Sequence, residues 1–170
     1  MVTVLKTVTV IFSKIRFKSL AKIMSSDADA SRDRMLAELN EGSSNQVSGD
    51  AANKCLLIRG CDPVMSAKAK DFLPPLLGNV QLTSCTDDDT FLNLLQSGKN
   101  KYDVVCFAPG AMRWEARGAA IPGGNDTTKG WNLERYREEV RKTLGENIPI
   151  VGTAEEKELV PILRRALELS

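Results

Sequence analysis

The sequence predicts a small α/β domain: a doubly wound parallel sheet of about four strands, flavodoxin- or Rossmann-like, over residues 54–170. Three observations carry that prediction. Four short runs, Cys55–Arg59, Val80–Ser84, Asp103–Phe107 and Ile148–Gly152, read as strands, and all but Val80–Ser84 are largely apolar. Those apolar runs lack the alternation of a strand with one wet face, so they read as strands buried on both sides. Segments of helix length separate them, and crossover helices imply parallel pairing. Right-handed crossovers then favour the strand order 2-1-3-4.

Residues 1–53 form an N-terminal extension, disordered or targeting. Residues 1–26 carry Lys6, Lys14, Arg16, Lys18 and Lys22, and the first acidic residue is Asp27. A basic, acid-free, Ser/Thr-containing start suits a mitochondrial transit peptide. The competing reading is a cytosolic extension, or an effective start at Met24, so both matrix and cytoplasm stay open. No stretch approaches the roughly 18 to 20 apolar residues of a membrane span. Ser31–Leu39 predicts a short helix and residues 41–50 have linker composition, which places the domain boundary at Ala51 to Lys54.

Within the domain, Gly60 stops the first strand and Asp62-Pro63 opens a helix through Leu73. That helix is expected to end before Pro74-Pro75, because neither proline supplies an N–H. Gly78-Asn79 turns into strand two. Asp87 or Asp88 caps a helix through Gln96, whose acidic first turn suits the helix dipole. Ser97 to Lys101 is a polar turn before strand three. After a long loop, Leu133–Leu144 places Leu133, Tyr136, Val140 and Leu144 on one face and charges on the other. Gly145 ends it. Glu155–Leu169 is the last helix, which Pro161 is expected to kink or split.

Composition narrows the chemistry. The chain has 170 residues, no histidine and a net charge of +1. Ser-His-Asp triads, Cys-His pairs and histidine metal sites are therefore excluded, and no metal site is predicted. The near-neutral charge and 5% aromatic content disfavour nucleic-acid binding. Cys55, Cys61, Cys85 and Cys106 form no C-x-x-C pair and read first as small buried hydrophobes.

The stretch from Tyr102 to Asn132 is where function is expected. Beyond Ala108-Pro109-Gly110 it runs about twenty residues without clear periodicity, and loops of that length in compact domains are usually functional or disordered. It holds both tryptophans, which favours an ordered loop. In a doubly wound sheet, ligands bind beyond the carboxyl ends of the strands, at the switch point between strands one and three. This gathers Gly60, Cys61, Asp62 and Ser66 with Pro109, Gly110, Arg113, Trp114 and Arg117. Gly123, Gly124, Asn125, Asp126 and Trp131 complete the loop's candidates. Backbone N–H groups at a helix start, with guanidinium groups, suit a phosphate or carboxylate. Each residue also has a plainer role: turn glycines, arginines paired with Glu115 or the strand-two acids, tryptophans that pack. There is no G-x-G-x-x-G after strand one and no Walker sequence, so the cofactor is unassigned.

Cys61 is the candidate nucleophile, since a helix start and arginines lower a thiol pKa while Asp62 opposes them. The run Cys61-Asp-Pro-Val-Met65-Ser66, with Asp103-Val-Val-Cys-Phe-Ala-Pro109, resembles the small B components of bacterial sugar phosphotransferase systems. The resemblance covers roughly Leu56 to Pro109 and implies a four-stranded parallel sheet with a phosphocysteine at Cys61 before a phosphate-cradling loop. The chain departs from that pattern in three places. The cradle glycine is absent, Asp62-Pro63 brings a charge and a missing N–H, and the Trp/Arg loop is foreign to it. Three functional readings follow: an anionic small-molecule site at strands one and three, a protein-docking loop, and phosphoryl or thiol chemistry at Cys61.

Overall fold

The computed structural model describes residues 50–97 and 101–169. The transit-peptide reading, the Ser31–Leu39 helix and the linker before Asp50 lie outside these residues. Four parallel strands form one sheet: β1 (Cys55–Arg59), β2 (Gln81–Cys85), β3 (Val104–Phe107) and β4 (Ile150–Gly152), in the order β2-β1-β3-β4. Leu56 of β1 is registered with Leu82 and Val104, and Val105 with Ile150. The helices are α1 (Pro63–Leu76), α2 (Asp88–Ser97), α3 (Pro109–Ala116), α4 (Leu133–Leu144) and α5 (Glu156–Ala166).

Strand periodicity divides the core into two layers. Leu56, Ile58, Val104 and Cys106 face one way, onto Leu73 and Leu77 from α1 and its end and Leu159 and Leu163 from α5. Leu57, Val105 and Phe107 face the other way, onto Phe91 and Leu95 of α2 and Leu133, Tyr136 and Val140 of α4. Phe91, Phe107 and Tyr136 meet at tilted or edge-on angles, with centroids 6.0 to 6.3 Å apart. None of the helices among the described residues is long and apolar enough to cross a membrane.

β2 is shifted one residue, to Gln81–Cys85 from the expected Val80–Ser84, and β4 begins at Ile150 instead of Ile148. Three further elements differ in character from the sequence expectation. The first helix runs through both prolines to Leu76 instead of stopping before them. The missing N–H groups remove the usual donors to the Lys70 and Asp71 carbonyls, but both residues are exposed, so water can serve them. The Pro74 carbonyl then accepts from the N–H groups of Leu77 and Asn79, and Gly78 and Asn79 adopt left-handed backbone to enter β2. Likewise α5 is a single helix across Pro161, whose ring is exposed and whose lost partner is the carbonyl of exposed Lys157. The long loop is not wholly irregular, because Pro109–Ala116 is helical. Two turns are too short to show a period, and only Pro109 and Ala111 are fully buried.

The two ends of the domain meet. Ala51 is fully buried, and the Lys54 ammonium donates to the Leu167 carbonyl at 2.6 Å. Truncating Phe91 to alanine should lower unfolding free energy by about 3–5 kcal/mol in urea titrations, as aromatic core truncations do. Val64→Ala, at a half-exposed residue on α1, should change it by less than about 0.5 kcal/mol.

Candidate functional site

Parallel strands direct all four carboxyl ends to one side of the sheet. Gly60 and Cys61, the Cys85–Asp89 segment, Ala108 with α3, and the Thr153–Glu156 turn gather there. Beneath them lies a buried ion pair that sequence reasoning missed. Arg59 and Asp88 have no solvent exposure. Arg59 Nε and Nη2 both donate to Asp88 Oδ1, at 2.9 and 2.8 Å. Nη1 donates to the Gly60 carbonyl and Nη2 to the Pro122 carbonyl at 2.8 Å. The other carboxylate oxygen, Asp88 Oδ2, accepts from Thr128 Oγ1 and from the Tyr136 hydroxyl, each at 2.6 Å. Burial, with the hydrogen bond to Asp88, pushes the Tyr136 phenol well above its ordinary range.

This network fastens the strap between α3 and α4. The Asp88 N–H donates to the Gly123 carbonyl at 2.8 Å, and Asn125 Nδ2 donates to Asp89 Oδ1 at 2.7 Å. Asn125 and Thr128 also exchange backbone-to-side-chain bonds, and Ile121 is buried in the core. Gly123 has φ +86°, and a Cβ there would collide with the Thr86 carbonyl oxygen. Thus Gly123 is a position only glycine fits, while Asn125 ties the strap to itself through Thr128 and to α2 through Asp89. Asp126 is exposed. Trp131 packs edge-on against Tyr136 at 5.2 Å, with the Arg135 guanidinium over its ring. It anchors the strap.

Asp87, not Asp88, caps α2: its carboxylate accepts from the Thr90 N–H and hydroxyl, and that backbone bond holds its pKa below the ordinary value. Asp62 caps α1, accepting from the Val64 and Met65 N–H groups at 2.9 and 3.2 Å. Those are the amides a phosphate at this helix start would use, so the protein's own carboxylate occupies it. Ser66 lies on the β2 side, donating to Ser84 Oγ at 2.8 Å.

The head of α3 differs. Its N-cap, Ala108, offers no side-chain bond, Pro109 sits at the first position, and no acidic residue lies in the first turn. Cys61 stands against it so closely that a Cβ on Gly110 would lie 2.7 Å from the Cys61 sulfur. Burial and then Asp62 raise the Cys61 thiol pKa, and together they outweigh Arg59 and Arg113. The thiol is therefore protonated at neutral pH. Cys85 and Cys106 are buried and pushed up to about 12. Arg113 pairs with neither Glu115 nor the strand-two acids. Its Nε donates to the Ala154 carbonyl at 3.0 Å and its Nη2 to Glu156 at 2.6 Å, which ties α3 to the head of α5. Arg117 and Trp114 are exposed.

The structure therefore brings Gly60, Cys61, Asp62, Pro109, Gly110 and Arg113 to one place. It sets Ser66 aside on α1, bonded to Ser84 of β2, and Gly123, Gly124, Asn125 and Trp131 in the strap. Among the described residues no three Cys, Asp or Glu side chains are arranged to hold a metal ion. The missed residues had one signal: Arg59 is a charge ending an otherwise apolar strand. Thr128 and Tyr136 had none, since their roles depend on Asp88 folding inward.

Asp88→Ala would leave Arg59 buried without a counter-charge and should cost about 3–5 kcal/mol in urea unfolding. Thr128→Ala, which removes one charge-assisted hydrogen bond, should cost about 1.5–3 kcal/mol. Alkylation followed by mass mapping should find Cys61 slow at pH 7, with a rate still climbing above pH 9. A pH–rate midpoint below 8 would contradict the raised thiol pKa.

No protein-family model matches this chain, and neither a curated protein nor a solved structure is significantly similar to it.

Proposed function

We propose that this domain binds the phosphate or carboxylate group of a small molecule at the head of α3, between the carboxyl ends of β1 and β3. One observation carries the reading. Helices α1, α2 and α4 are capped by Asp62, Asp87 and Asn132, and α5 carries Glu156 and Glu158 in its first turn. Only α3, among the described helices, opens with neither a side-chain cap nor an acid. Its N–H groups and positive dipole end thus lack an anion, at the switch point where doubly wound sheets take their ligands. Cys61 contributes a neutral thiol at the same spot, and Arg113 of the same helix is a cation that an anion would draw from Glu156.

The test is a thermal-shift screen of the full chain against inorganic phosphate, sugar phosphates, nucleotides and small carboxylic acids. A ligand at 100 times its dissociation constant stabilises by about 2.7 kcal/mol. The decisive variant is Ala108→Asp, which supplies α3 with a capping carboxylate of its own. It should raise stability by about 1 kcal/mol in the absence of ligand and abolish the ligand-induced shift. A hit that persists undiminished in Ala108→Asp would place the anion elsewhere and end this proposal.

A further inference from the structure

The far end of α3 carries a second feature, independent of its head. Trp114 is 40% exposed, and besides Val64 it is the only large hydrophobic residue so exposed among the described residues. Trp131 shows the contrast, for it is packed against Tyr136. Nor is Trp114 carried on loose chain. Its carbonyl accepts from the N–H groups of Arg117 and Ala119, both at 3.1 Å, and the Gly118 N–H donates to the Glu115 carbonyl at 2.8 Å. The helix end and turn therefore hold the backbone that carries the indole. The residues that follow in the chain, Ala116, Gly118, Ala119 and Ala120, have small side chains or none.

Charge distinguishes this face. Arg117 follows Trp114 by three residues and shares its side of the helix, whereas Glu115 lies about 100° around the axis. Arg113 is bound to Glu156 and Ala154. Arg117 is exposed and makes no ion pair among the described residues. We infer that Trp114 and Arg117 form a docking surface for a short segment of a partner protein. That segment presents a large apolar side chain beside a carboxylate. The apolar group covers the indole, and the carboxylate meets the guanidinium. Tryptophan and arginine are the residues most enriched among those that dominate interface energies.

Selecting a random-peptide phage library on the full chain, with counter-selection on Trp114→Ala, tests this. The enriched peptides should share an acidic residue close to a leucine, isoleucine or phenylalanine. A synthetic copy should bind about 30-fold more weakly to Trp114→Ala and roughly fivefold more weakly to Arg117→Glu. Replacing the peptide's acid by lysine should restore binding to Arg117→Glu. Arg117→Glu changes only an exposed charge, so this arm stands even where Trp114→Ala is poorly folded. The inference fails if no shared pattern emerges or if the peptides bind Trp114→Ala and Arg117→Glu as well as wild type. It also fails if phosphatidylserine vesicles, not peptides, bind in a Trp114-dependent way. Sedimentation showing a self-associated chain that Trp114→Ala dissociates would equally overturn it, by making the face a contact between copies.

Discussion

The ion pair between Arg59 and Asp88 fixes the relation between the sheet and everything at its carboxyl edge. Removing two charges from water costs several kcal/mol per ion, and their attraction offsets this only when the geometry is good and the remaining groups are bonded. Both conditions hold here. Every nitrogen of the Arg59 guanidinium donates, and each Asp88 oxygen accepts twice. Among the described residues no buried side-chain nitrogen or oxygen lacks a partner. Two apolar residues of the same volume would fill the space, but they would not choose the strap's path. Arg59 selects the Pro122 carbonyl, and the Asp88 carboxylate selects Thr128 and Tyr136. One pair thus sets the end of β1, the start of α2, the strap and a face of α4.

Among the described residues, the five helix starts resolve into three electrostatic types. Three are neutralised by a polar cap, one by acids in its own first turn, and one is left bare. Asp62 is instructive because sequence alone weighs it as a perturbation of Cys61. In the structure it also saturates the α1 amides, so the same residue raises the thiol pKa and closes the helix start that a phosphocysteine arrangement would use. The open electrostatic position is one strand over, at α3.

The sequence carries the fold well, because the central strands β1 and β3 announce themselves as unbroken apolar runs, while the outer strands β2 and β4 are only partly buried and are placed by their flanking turns and helices. β1 was legible to the residue, and α4 was legible from the apolar stripe Leu133, Tyr136 and Val140. Proline was over-read: at Pro74, Pro75 and Pro161 the orphaned carbonyls belong to exposed residues, and exposure is a tertiary property. α3 was invisible since two turns give too few positions to establish a period. The loop's importance was legible from its length and tryptophans, but the division of labour was not. Trp114 and Trp131 look alike in the chain and differ only in whether Tyr136 lies beside them. Asp87 and Asp88 are adjacent and identical, and one caps a helix while the other is the buried hub, a difference decided by Arg59 twenty-nine positions earlier.

The contact between Lys54 and the Leu167 carbonyl closes the fold upon itself. A domain whose first strand and last helix touch is topologically close to a ring, so it tolerates a change in which exposed turn is left open. Joined at that contact by a short linker and opened instead at the Gly145–Ile148 turn, the same residues would retain the sheet order, both core layers and the buried pair. The fold is in this sense permutable, and another protein's surface loop could receive it whole.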